Sequence, residues 1–405
     1  MGISSSRGRE VEGGEGASLD SVAKPTLAVP RIDKGLDDIY VKETSICLVD
    51  GQRGRLLYRG YDIRDLAKFS TFEETVFILI HGRLPTRTEL TKVRADLAAA
   101  RKLSPDIVRL LRAMPKDAPP MDILRTAVSY MSNLDPERDD PTRAANMRKA
   151  QRLIAQLASV VAAYERIRKD QRVLPPDPKL SHAQDFLRML KGRRPDALHA
   201  RAMDLALVLY ADHSMNASTF AATVAASTLS DLYSTIVAAI ATLKGPLHGG
   251  AIEASFLTFE KIGRPADAED YVLEALRNRG KIFGFGHRVY KTYDPRALIL
   301  KDLARRLAEE MGDDRLYRVA ERVEEVGLRE LRAKGVYPNV DYYTGLVYHH
   351  LGIPTDLFTP LFAVARIAGW TAHVIEYWED NRILRPLDYY VGPTEATYVP
   401  LDQRT

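Results

Sequence analysis

Apolar residues recur at helical spacing over most of this 405-residue chain, and strand-like runs stand out in only one stretch. Over residues 44–59, the runs 46–49 and 56–58 flank Asp50, Gly51 and Gly54, which predicts a β-hairpin. From there the pattern is helical nearly to the end. Thr71 and Glu74 stand at capping-box spacing before the apolar run 76–80, and Gly82 follows as a stop; Thr86 and Glu89 repeat the device. Breaks rich in proline and charge at 133–141 and 170–178 bracket a long amphipathic helix near 143–168. Residues 196–243 are alanine-rich and mostly apolar, and predict one or two helices buried on several sides. Thr359 and Pro360 predict the N-cap and first position of another buried helix, carrying Leu361, Phe362, Val364, Ile367 and Trp370 with Arg366 among them. No fixed-period repeat is visible, so a solenoid is not expected. Residues 1–30 are rich in Ser, Gly and Glu without apolar periodicity, and predict a disordered tail. Met1-Gly2 with Ser6 fits a myristoylation pattern, but nothing else in the chain points to a membrane.

Composition narrows the function classes. The length suggests two or more domains, and 45% hydrophobic with 28% charged residues is the balance of a soluble globular protein. A net charge of +4 is small for this size, which argues against a dedicated nucleic-acid binder and leaves room for a local basic pocket. Cys47 is the sole cysteine, so an intrachain disulfide and a cysteine metal site are excluded, in keeping with a reducing, cytoplasmic compartment. No run of about 18 uncharged apolar residues occurs, so no membrane span is expected. The nine histidines show no His-x-His or His-x-x-x-His spacing, and no metal site is expected.

The candidate chemistry lies in separated stretches. Residues 284–296 read Gly-Phe-Gly-His-Arg-Val-Tyr-Lys-Thr-Tyr-Asp-Pro-Arg: a glycine turn that aims His287 among Arg288, Lys291 and Arg296, suited to an anion that carries a carbonyl. His248 lies in a Gly-Pro-Leu-His-Gly-Gly loop before a predicted helix. There it either caps the helix or, kept neutral by the helix dipole, donates a hydrogen bond to a developing oxyanion. His213 sits in the polar knot 211–219, inside an apolar region; it either stitches a helix break or serves a ligand. Asp341 follows Pro338-Asn339-Val340, as an N-cap or as a partly desolvated base. Arg366, on an apolar helix, needs an anionic partner: Glu376, Asp380 or a ligand carboxylate. Arg385 reads locally as an ordinary loop arginine.

Taken together, the segments 245–251, 284–296, 339–345 and 362–370, supported by 211–219 and 50–62, resemble the citrate synthase family in its compact prokaryotic form, in order from about residue 35 to 395. The resemblance implies a mainly α, two-domain helical fold with a short N-terminal β-hairpin, a large domain at 31–250 and 352–405, a small domain at 251–351 and an active site in the cleft between them. It implies an obligate homodimer and the condensation of acetyl-CoA with oxaloacetate to citrate and CoA. No cofactor is implied beyond the coenzyme A thioester, itself a substrate. On this resemblance Asp341 matches the general base, His248 the donor to the enol oxygen and His287 the group that polarises the ketone. His213, Arg296 and Arg366 match the oxaloacetate grip, and Arg385 the arginine that crosses from the other subunit. Ile282, Phe283, Gly284, Phe285 and Gly286 match the loop that meets the CoA adenine, with Lys291 a phosphate contact. Ile252 and Ser214 depart from the asparagine and glutamate common at those places, so the loop of His248 is expected to rest on different neighbours. Two rivals remain: 2-methylcitrate synthase using propionyl-CoA, since one methylene is worth only about 1–3 kcal/mol in an apolar pocket, and a non-catalytic CoA-binding protein.

Overall fold

Sixteen α-helices and one small sheet make up the computed structural model among the described residues, which are 30–37 and 39–404. The expected N-terminal tail and the myristoylation pattern lie outside them. The fold is mainly α with a short hairpin near the N-terminus. Strand β1 (Cys47–Asp50) pairs antiparallel with β2 (Arg55–Tyr58), matching Cys47 to Tyr58 and Asp50 to Arg55. At the hairpin tip the Asp50 carboxylate accepts the amides of Gln52 (3.2 Å) and Arg53 (2.9 Å). A third strand, β3 (Tyr61–Asp62), was not anticipated; two residues are too few to carry a periodic signal.

The first helices are α1 (Ile63–Phe69), α2 (Phe72–His81), α3 (Arg87–Ala100), α4 (Pro105–Ala113) and α5 (Pro120–Ser132), and α2 and α3 start where Thr71 and Thr86 predict. Thr71 accepts the amide of Glu74 and Gly82 closes α2 in left-handed geometry, while Thr86 and Glu89 form a full capping box. Helix α6 (Arg143–Arg168) runs between the two predicted breaks, and α7 (His182–Lys191) follows. Residues 196–243 hold three helices rather than one or two: α8 (Ala197–Tyr210), α9 (Ala217–Ser227) and α10 (Leu232–Leu243). The extra breaks contain neither glycine nor proline; Ser214 and Leu229 take positive φ, and Asn216 and Asp231 cap the helices that follow. Then come α11 (Ala251–Ile262), α12 (Ala268–Arg277), α13 (Pro295–Met311), α14 (Arg315–Leu331), α15 (Asp341–His350) and α16 (Phe358–Tyr377).

Helix α16 is the hub. Of its residues only Glu376 is not buried, and it packs against α2, α6, α8, α9 and α10. With the 3-10 turns at its ends (355–380) it is long and apolar enough by composition to cross a membrane, but its most apolar stretch is wholly enclosed by protein, as in a core helix. The sequence expectation that Thr359 caps it does not hold: a 3-10 turn (Thr355–Leu357) starts the coil earlier, and Leu357 stands at the N-cap. The Thr359 hydroxyl instead donates to the carbonyl of Gly249 at 3.1 Å, in the loop of His248. Residues 42–384 pack as one unit; the described residues 30–37, 39–41 and 385–404 belong to another, with short 3-10 turns at Lys34–Leu36 and Leu401–Gln403.

Candidate active site

The turn after Ile282 is fixed by backbone. Gly284 and Gly286 have φ of +79° and +87°, and a Cβ on Gly284 would lie 2.7 Å from the Tyr342 ring and 2.8 Å from Ser255 Oγ, so no side chain fits there. The Gly284 carbonyl accepts the Asn339 amide, the Gly286 carbonyl accepts Asn339 Nδ2, and the Gly286 amide donates to the Tyr337 carbonyl, each at 2.8 Å. The turn therefore hangs from the segment that leads into α15. Within it His287 Nδ1 accepts the amides of Val289 (2.9 Å) and Tyr290 (3.1 Å). An amide only donates, so a neutral His287 carries its proton on Nε2. Burial, reinforced by Arg296 and Lys291 and opposed by Asp294, pushes its pKa down to about 4, which leaves the ring neutral near pH 7. Its ring meets those of His213 at 5.1 Å and Tyr290 at 4.7 Å between centroids.

Arg296 opens α13 and is only 2% exposed. Asp294 caps that helix through the Arg296 amide (3.0 Å), holds the guanidinium through Nε (3.0 Å) and Nη2 (2.7 Å), and accepts the Val340 amide (3.2 Å). One carboxylate thus ties the arginine to the residue before Asp341. Asp294 carries no role in the sequence pattern read above; the signal available for it was an aspartate two residues before the arginine.

Asp341 is the first residue of α15, and its side chain does not cap the helix. Asn339 Oδ1 takes the Asp341 amide (3.0 Å), which frees the carboxylate to accept the Tyr210 hydroxyl (2.7 Å). Burial raises the Asp341 pKa to about 6, against the lowering effects of Tyr210 and Arg296. Tyr210 is not among the residues the sequence pattern marks. It ends α8 just before the polar knot, and a buried phenol needs a partner.

His248 lies between α10 and α11. Its Nε2 is 2.8 Å from Ser218 Oγ and receives the Ser218 amide at 3.4 Å. Ser218 Oγ accepts Trp370 Nε1 (3.1 Å), so the loop rests on α9 and α16. Ser218 was not singled out in the sequence. Ile252, the departure beside His248, is fully buried and apolar, and Ser214 gives its amide to Asp212 Oδ2 at 2.9 Å. The His248 pKa falls to about 4 through burial and then Arg366, rather than through the helix dipole on which the sequence reading relied.

Arg366, 1% exposed, does not pair with Glu376, which instead accepts Lys42 Nζ (2.9 Å), the Thr44 hydroxyl (2.7 Å) and the Ser45 amide (2.9 Å). Arg366 Nε donates to the Tyr210 carbonyl (2.7 Å), and its guanidinium carbon stands 4.8 Å from the centre of the Phe362 ring. That ring also packs on Tyr210 (4.7 Å) and His248 (5.9 Å). Asp341 and His248 are linked in this way through Tyr210 and Phe362, and His287 and His213 join them through Arg296, whose charge acts on both rings and on Asp341. Ligand atoms of His213, His287 and Asp294 lie within 4.8 Å of one another. Backbone amides occupy His287 Nδ1 and Arg296 holds Asp294.

In the expected CoA loop Ile282 is buried, Phe283 is exposed, and Phe285 packs edge-on against Tyr342 at 5.2 Å. The Lys291 amide donates to the Gly51 carbonyl at the hairpin tip (3.0 Å), and its Nζ to the Arg288 carbonyl (3.4 Å). Arg385 belongs to the terminal unit and is exposed there; it is not among the residues gathered within 42–384.

The family model described as "Citrate synthase, C-terminal domain" matches residues 35–387. The chain belongs to the citrate synthase family. A citrate synthase from Deinococcus radiodurans is 46% identical over 374 residues, 92% of this chain and 99% of that one. A 2-methylcitrate synthase from Shewanella oneidensis is 40% identical, covering 91% of this chain and 97% of its own. The ternary complex of carboxymethyl coenzyme A and oxaloacetate with citrate synthase from Thermoplasma acidophilum superposes with a TM-score of 0.89 at 38% identity, over 93% of this chain and 100% of that one. The citrate synthase fold expected from the sequence is the one observed, and this member is an enzyme of acyl transfer.

Proposed function

We propose that this citrate synthase joins acetyl-CoA to oxaloacetate through Asp341, His248 and His287. The observation that carries the assignment is the state of Asp341: a half-buried residue whose carboxyl is desolvated enough to raise its pKa to about 6, linked by packing and charge to two histidines held neutral. A carboxylate in that environment is basic enough to remove a proton from the thioester methyl while the enol oxygen takes a hydrogen bond from His248. The Ser218 amide points at His248 Nε2, which supports a proton on Nδ1 for that bond. The enol carbon then attacks the ketone carbon of oxaloacetate, and His287 Nε2–H supplies the proton to the ketone oxygen as the new carbon–carbon bond forms. Water cleaves the resulting citryl thioester to citrate and CoA. Arg296 and Arg366 are planar forks in buried positions, suited with His213 to the two oxaloacetate carboxylates.

The remaining assignments belong to the same proposal. The loop 282–286 receives the CoA adenine and Lys291 a phosphate; residues 251–351 close over the substrates as a small domain; the enzyme is cytoplasmic and uses no further cofactor. It works as a homodimer, with Arg385 reaching the partner's site. Exposed Leu387, Val391, Tyr398 and Leu401 on the C-terminal segment give that arm an apolar surface to bury.

The test is release of free CoA with oxaloacetate present or omitted. The expected outcome is release that requires oxaloacetate, is faster with acetyl-CoA than with propionyl-CoA, and is lost in Asp341→Asn while CoA still binds. Asp341→Asn with wild-type turnover refutes the assignment; faster turnover of propionyl-CoA moves it to 2-methylcitrate synthesis.

A further inference from the structure

We propose that Tyr210 is a positioning residue for the proton transfer, holding the Asp341 carboxylate through its hydroxyl and turning that hydroxyl to Thr344 once Asp341 is protonated. The inference rests on Asp341 being the base. The Tyr210 oxygen lies 2.7 Å from Asp341 Oδ1 and 2.9 Å from Thr344 Oγ1. Thr344 gives its own proton to the Val340 carbonyl at 2.6 Å, so toward Tyr210 it presents an acceptor. One phenolic proton therefore faces two acceptors. While Asp341 is charged it takes that proton, since a bond to an ionised oxygen is roughly twice as strong as a neutral one. When Asp341 accepts a proton from carbon its pull weakens, and the phenol rotates to Thr344 without leaving a buried group unpaired. No proton leaves the phenol: its pKa lies well above the ordinary value, through burial first and then Asp341.

The rest of Tyr210 is fixed independently. Its carbonyl takes Arg366 Nε at 2.7 Å and its ring packs edge-on against Phe362 at 4.7 Å. The residue that orients the base therefore also receives the arginine assigned to a substrate carboxylate. The other charged groups acting on Asp341 are Arg296 and Asp294 at the start of α13 and Arg366 on α16, and all are untouched by Tyr210→Phe.

The experiment is the pH profile of kcat/KM for acetyl-CoA. Tyr210→Phe removes a bond to the charged form of the base, so the acid limb should move up by about one pH unit with turnover reduced about tenfold. Thr344→Val should lower turnover and leave the acid limb in place. 3-Fluorotyrosine at position 210, a better donor in an otherwise unaltered fold, should move the limb down, and it decides the matter if Tyr210→Phe does not fold. An unmoved limb in the phenylalanine or fluorotyrosine protein, with Asp341→Asn inactive, overturns the role of Tyr210 alone. An active Asp341→Asn overturns the reading of the base itself.

Discussion

The hairpin tip and the histidine turn meet at Gly51, and a single methyl group there tests whether that contact sets the geometry of His287. A Cβ on Gly51 would lie 2.1 Å from the Val289 carbonyl oxygen and 2.7 Å from its carbon. Both are backbone atoms, so relief requires the turn itself to retreat by more than about 1 Å before ordinary contact returns. Val289 cannot retreat alone, because its amide is one of the two that hold His287 Nδ1. The Gly51 carbonyl also receives the Lys291 amide at 3.0 Å, so the far side of the turn is pinned to the same residue. Overpacking of this kind destabilises by about 1–3 kcal/mol, and a displacement near 1 Å at a reacting group costs about 10²-fold in rate. Gly51→Ala should therefore fold, melt a few degrees lower, and lose about 10²-fold in kcat/KM when CoA release is followed with a thiol reagent. Gly60→Ala is the control: φ is +89° with nothing within 4 Å, so it should lose stability through backbone strain and keep its turnover. Wild-type kcat/KM in Gly51→Ala would show that the turn does not need the hairpin to place His287.

Other consequences are as direct. On the proposal that Asp341 is the base, it must be charged to act, and with its pKa raised to about 6 kcat/KM should fall tenfold per pH unit below that value; a midpoint near the ordinary carboxylate value would refute the burial argument. His248 and His287, lowered to about 4, should add no limb above that range. Arg366→Lys should raise KM for oxaloacetate about 10- to 100-fold with a smaller effect on acetyl-CoA, since an ammonium cannot hold the Tyr210 carbonyl and fork a carboxylate together; equal changes in both KM values would count against the assignment. Glu376 is opposed by burial but held down at about 2, from 4.5, by Lys42, Thr44 and the Ser45 amide. A depressed acid stabilises the fold above its unfolded pKa and loses that contribution as pH falls through the folded one. The gap in Tm between wild type and Glu376→Gln should be constant above about pH 5 and close between 4.5 and 2; a gap that widens with acid reverses the sign and the reading.

Local chemistry made part of this molecule legible from its sequence. A threonine and a glutamate three apart have one good use before an apolar run, and Thr86 with Glu89 puts both groups to it. The stretch 196–243 misled because its breaks use non-glycine residues in left-handed geometry; Asn216 and Asp231 were the visible signs of the helices that restart there. The side chains of the site were legible as types, whereas their partners depend on contacts far apart along the chain, as the bond from Tyr210 to Asp341 does. Arg366 shows the difference most clearly. A buried guanidinium demanded an anion, and sequence offered Glu376 on the same helix. The structure supplies instead the carbonyl at the end of α8, where no following helical turn exists to use it. The last carbonyls of a helix carry the negative end of its dipole, so the arginine is partly compensated there while remaining one ion short of a full pair. Burial lowers the Arg366 pKa and Asp212 opposes that, although the Asp212 Oδ2 is itself engaged by His373 Nε2 and the Ser214 amide; the proposed role of Arg366, to receive a substrate carboxylate, would meet the remaining demand.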